Sequence, residues 1–126
     1  MGYRSDVTCI MYTNDPKDKG AGAIMTTWLK QHIHEDDMQC FEFHDTEVIF
    51  IAEDWKWYES YLPIQRLEKL FADFQETFCH QHHDSLYGYE FIRVGEEYTD
   101  VEHVEAGVCG GRLHLSRSIR IEGIDD

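Results

Sequence analysis

A chain of 126 residues, 42% of them hydrophobic and including seven Phe, seven Tyr and three Trp, holds enough apolar material for one folded domain spanning 1–126. That excludes a disordered chain. Twenty-five acids against eleven bases leave a formal net charge of −14, the wrong sign for direct binding to a nucleic-acid backbone. It suits fast, salt-sensitive association with a basic protein surface, and it also serves as a plain solubility device. No apolar run approaches the roughly 20 residues of a membrane span, and the N-terminus lacks the apolar core of a signal peptide. A soluble, cytoplasmic protein with no membrane partner is expected.

In chain order, residues 4–13 read as a strand in which Val7, Cys9 and Met11 alternate with Thr8, Ile10 and Tyr12. Asn14 to Gly20 is a polar turn with strong breakers. A helix is predicted over 21–34 with Ile24, Trp28 and Ile33 or Leu29 inward, ended by Glu35-Asp36-Asp37, where acids oppose the helix dipole. Residues 39–44 read as a strand around Cys40-Phe41-Glu42-Phe43. The run Val48-Ile49-Phe50-Ile51-Ala52 reads as a central strand covered on both faces. After Pro63, Ile64, Leu67, Leu70, Phe71, Phe74 and Phe78 keep the spacing of one helical face. Residues 87–94 and 101–108 alternate as two strands, and Gly110-Gly111 introduces a last strand over 112–122 whose Arg112, Arg117 and Arg120 would face the acids of its neighbour.

The order is β-α-β-β-α-β followed by two more strands. It matches an α+β, ferredoxin-like βαββαβ unit, an antiparallel sheet with two helices on one face, extended by the two C-terminal strands.

Chemical constellations are sparse. Cys9, Cys40, Cys79 and Cys109 lie about thirty residues apart with no disulfide pattern, so reduced thiols are expected. Cys79-His80-Gln81-His82-His83 has the spacing for two zinc ligands on one helical face but no local second pair. The alternative role of those histidines is to complement a helix C-terminus, and no metal or other cofactor is expected. A metal-binding module or hydrolase built on this cluster is the competing function. Gly20-Ala21-Gly22-Ala23 resembles a dinucleotide loop, but Met25 falls where a third small residue belongs, and no phosphate-binding Lys-Ser/Thr follows. Cys109 with His103 or His114 as base would be an isolated nucleophile. No catalytic residue is expected.

Two stretches suit protein binding. Glu96, Glu97, Asp100, Glu102 and Glu105 make an acidic strand and its approach, while Trp55, Trp57 and Tyr58 crowd the join between the central strand and the second helix beside Glu53, Asp54 and Glu59. The alternatives are a solvated acidic strand and rings that cap the core.

Met1-Gly2-Tyr3-Arg4-Ser5-Asp6-Val7, Trp57-Tyr58-Glu59-Ser60-Tyr61 and the run from Phe91-Ile92-Arg93-Val94 to Glu102 resemble a group of small phage and prophage proteins. The resemblance implies a phage accessory protein without assigned catalytic residues. The resemblance further implies a protein that works, as small acidic phage proteins often do, by binding a host protein, including as an inhibitor of CRISPR or other defence complexes. The expectation is therefore a non-enzymatic inhibitor in the host cytoplasm whose partner is a host protein with a basic surface, the acids mimicking phosphates. A homodimer or a homo-oligomeric structural protein stays open.

Overall fold

A computed structural model describes residues 4–79, 86–97 and 99–107. Eight elements follow in order: β1 (Ser5–Thr13), α1 (Lys19–His32), a short 3-10 helix (Glu35–Cys40), β2 (Phe41–Phe43), β3 (Glu47–Trp55), α2 (Leu62–Phe78), β4 (Tyr87–Gly95) and β5 (Val101–Gly107). The five strands form one antiparallel sheet in the order β2-β3-β1-β4-β5, so the chain is α+β.

Period-two patterning puts Val7, Cys9 and Met11 of β1, Val48, Phe50 and Ala52 of β3, and Tyr87, Tyr89 and Phe91 of β4 on one face, where they join Met25 and Leu29 of α1 and Leu67, Leu70, Phe71 and Phe74 of α2 in one core. The stripe read along α2 is buried from Ile64 to Phe74, with Phe78 half-buried against it. Phe71 lies edge-on to Phe50, at 5.4 Å, and tilted toward Phe91, at 6.0 Å, so this helix locks β3 to β4 across β1. Pro63 sits in the first turn of α2, where its missing N–H leaves no bond unmade.

The first helix differs from its predicted form. It starts at Lys19, where the Asp18 carboxylate caps the Ala21 N–H at 3.0 Å, and ends at His32. Its buried stripe is Ala21, Met25 and Leu29, while Ile24 is 61% exposed. Gly22 sets this rotation. A Cβ there would lie 1.9 Å from the Asp45 carbonyl oxygen, so the helix can press the Gly22 side against the β2–β3 loop only because no side chain is present. Glu35, Asp36 and Asp37 do not terminate α1; they open the 3-10 helix, where negative charge is favourable. Gln39 and Cys40 of the strand read over 39–44 belong to that 3-10 turn, and only Phe41–Phe43 pairs with β3.

The strand predicted to be covered on both faces is also corrected. The middle strand of the sheet is β1, and β3 presents Ile51 outward at 45% exposure. On the face opposite the helices, burial centres on Ile10 and Tyr12 of β1 and Glu90 and Ile92 of β4. Among the described residues, no helix is long and apolar enough to cross a membrane. Gly110-Gly111, the strand read over 112–122 with Arg112, Arg117 and Arg120, Cys109, His114 and the His80–His83 part of the histidine cluster lie outside the described residues.

Candidate functional site

Strand β1 creates the site by where it begins. Ser5 pairs with Trp55 of β3 on one side and with Gly95 of β4 on the other. The end of β3, the end of β4 and the start of β5 therefore meet at one end of the sheet. The two stretches singled out in the sequence, some forty residues apart, share that rim. It carries Asp6, Glu53, Asp54, Glu96, Glu97, Asp100 and Glu102 against Arg4, Lys56 and Arg93 among the described residues.

The backbone at the rim is held tightly. Asp54 has a positive φ of 62°, in the left-handed region that Asp tolerates better than most residues. Its N–H donates to Asp6 Oδ1 at 2.7 Å, and its carbonyl accepts from the Arg4 guanidinium at 2.8 Å. The β1–β3 register shifts between Ser5 and Val7 at the same place, so the end of β3 twists out of the ladder and turns Glu53 and Asp54 to solvent.

Each predicted binding residue can be placed. Glu96 is exposed, and its carboxylate accepts from the Arg4 backbone N–H at 2.9 Å. Glu97 is exposed beside it. Asp100 takes two hydrogen bonds from Arg93, at 2.9 and 3.3 Å, and Glu102 a third, at 3.1 Å. Those bonds, Asp100 first, push the Arg93 guanidinium pKa up from its ordinary value, and a further bond ties Arg93 to Ser5 Oγ. Asp100 and Glu102 therefore pin β5 to β4. Glu105 lies at the other end of β5, near His103 and away from the rim.

The aromatic members divide. Trp55 and Trp57 are half-buried and close the end of the core, each ring about 6.1 Å from Phe50, with Trp57 also 6.2 Å from Phe91. The Trp57 indole N–H donates to Glu68 at 3.2 Å. Tyr58 packs edge-on against Tyr61, at 5.1 Å, and Tyr61 is well exposed. The tyrosine pair, more than the tryptophans, presents aromatic surface to a partner.

Burial of Cys9 and Cys79 argues against nucleophilic chemistry at these two thiols. Cys79 is buried at the end of α2, its Sγ 3.8 Å from the Tyr87 carbonyl, and burial pushes its pKa up to about 12. Burial also raises Cys9 well above its ordinary value. Both are therefore neutral thiols at pH 7. Because their folded pKa values are raised, their contribution to stability is complete below the ordinary thiol pKa and is lost as pH climbs toward 12. Iodoacetamide mapping of the native protein at pH 8 should show Cys40, which is half-buried, modified well before Cys9 and Cys79. Rapid labelling of Cys79 under those conditions would show that its pocket opens.

Sequence reading missed three groups. Arg93 and Arg4 organise the rim, yet nothing local marks a lone Arg as the partner of acids across a strand. Asp37 and Arg66 form a bidentate pair at 2.9 and 3.2 Å that fastens the 3-10 helix to α2, and these bonds raise the Arg66 pKa. The pair lines an open cleft with His32, His34, Lys69 and Asp73. Third, Glu90, which the sequence did not single out, joins His103 and Glu105, which it read in unrelated roles: their ligand atoms lie within 4.8 Å of one another on the face away from the helices.

Comparison with protein-family models, with curated protein sequences and with solved structures returns no match.

Proposed function

We propose that this chain is a non-catalytic, phage-type accessory protein that binds a basic surface of a host protein in the host cytoplasm and inhibits it. The observation that carries this reading is the convergence at Ser5. Register brings the acids of β3, β4 and β5 to one rim with the aromatic end of the core beneath it. Exposed carboxylates around a small apolar platform complement a lysine- and arginine-rich surface of the kind that holds nucleic-acid phosphates. A defence complex that binds nucleic acid, the target of CRISPR inhibitors, is the partner class that fits. The pairing supports a ferredoxin-like reading of Ser5–Gly95: β3 lies between the parallel β1 and β2, β1 lies between the parallel β3 and β4, and each pair is joined through a helix. The strand β5 then widens the unit and brings Asp100 and Glu102 to the rim.

Capture of host proteins on the immobilised chain tests the reading. A basic protein should be retained at low salt, released at roughly 1 M salt, where the Debye length is only about 3 Å, and displaced by its own nucleic-acid ligand. Retention that ignores salt, or a captured partner that still binds nucleic acid fully, would sink the phosphate-mimic reading.

A further inference from the structure

We propose that Glu90, His103 and Glu105 form a site for a divalent transition ion, Zn²⁺ or Mn²⁺, on the sheet face opposite the helices. The register assembles the donors. Glu90 of β4 pairs directly with Glu105 of β5, and His103, two residues before Glu105, points to the same side. His103 Nε2 lies 2.7 Å from Glu90 Oε2 and 3.7 Å from Glu105 Oε2, between the two carboxylates. Metal bonds of roughly 2.0–2.2 Å set neighbouring ligand atoms about 3–3.5 Å apart. The Glu90–His103 contact therefore opens and the His103–Glu105 contact closes by a few tenths of an ångström, while the Glu90 and Glu105 oxygens, within 4.8 Å of each other, draw together by rotation of the exposed Glu105 side chain.

This arrangement differs from a patch of surface acids in three respects. The donor set is mixed: an imidazole, which suits Zn²⁺ and its neighbours, and two carboxylates, which match the charge of a dication and extend the set to Mn²⁺. One donor is fixed, because Glu90 is 1% exposed. It sits between Ile10, its partner across β1, and Ile92 on its own strand, both buried, and its carboxylate is held by the hydrogen bond with His103 Nε2. The other two donors are solvent-accessible, which gives an ion a way in and leaves coordination positions for water or a ligand atom.

Titration calorimetry on the full-length protein, freed of metal by chelation, tests the site with ZnCl₂, MnCl₂ and CoCl₂. One ion per chain is expected. His103→Gln and Glu105→Gln, both at exposed positions, should each weaken binding at least about tenfold, whereas Cys79→Ser should leave it unchanged. Bound Co²⁺ should show no thiolate charge-transfer band. The proposal is overturned if none of the three ions binds saturably, or if binding survives both exposed substitutions. Loss of binding in Cys79→Ser would overturn it equally, because that result assigns the ion to the cysteine–histidine cluster. The outcome is independent of the protein-binding rim at Ser5, which none of these substitutions touches.

Discussion

Phe74→Ala is expected to destabilise the protein by about 3–5 kcal/mol, the range for emptying a large aromatic site in a core that can only partly collapse. Phe74 is fully buried. Its ring lies 4.8 Å from Phe78, 6.0 Å from Trp28 and 6.3 Å from Tyr89, so one side chain joins α2 to α1 and to β4. The truncation removes apolar area and also leaves these rings without a partner on one side. Ile24→Ala provides the contrast. A helix read on the spacing of Ile24 and Trp28 would make it a core mutant, but its exposure of 61% predicts a change within about 0.5 kcal/mol. Urea midpoints at unchanged m-value measure both. A small effect at Phe74 would mean that α2 does not pack as described, and a large one at Ile24 would restore the other face of α1.

These two positions also show what the sequence could and could not carry. The α2 stripe was legible because six large apolar side chains repeat at helical spacing with no competing pattern. Strands β1 and β4 were legible for the same reason at period two, whereas β3 was legible only as an apolar run, which hid its exposed Ile51 face. The face of α1 was not, because it is decided by Gly22 pressing on the Asp45 carbonyl, a backbone contact that no hydrophobic period marks. The acids at 96–102 and the aromatics at 55–61 could each be picked out locally. Their meeting depends on Ser5 lying between Trp55 and Gly95, a register no single stretch encodes. Glu90 was invisible for a related reason. Alternation with Tyr89 and Phe91 assigns it to the other face, where a carboxylate is ordinarily exposed, and only the assembled sheet buries it.

Charge reversal at the rim should slow association with the basic partner by about tenfold or more at low salt and change dissociation little, since exposed charges steer encounter more than they hold the complex. The choice of positions follows from the contacts. Asp100→Lys or Glu102→Lys would oppose Arg93 and loosen β5, and Asp6→Lys would remove the acceptor that holds Asp54 at positive φ. Glu53→Lys and Glu97→Lys at the rim, with Glu59→Lys on the approach to the exposed Tyr61, change the exposed field without disturbing those bonds. Trp57→Ala is a poor probe of the aromatic platform because its ring packs on Phe50 and Phe91, so lost binding and lost stability would be confounded. Tyr61→Ala removes exposed aromatic surface instead and should act mainly on the off-rate. Surface plasmon resonance across a salt series separates the two effects. The triple reversal should lose most of its deficit by roughly 1 M salt, where screening has already slowed the wild-type chain, while the Tyr61→Ala deficit should persist. If the triple variant associates as fast as wild type at low salt, with circular dichroism unchanged, the rim is not the docking surface and its acids serve only to keep the protein in solution.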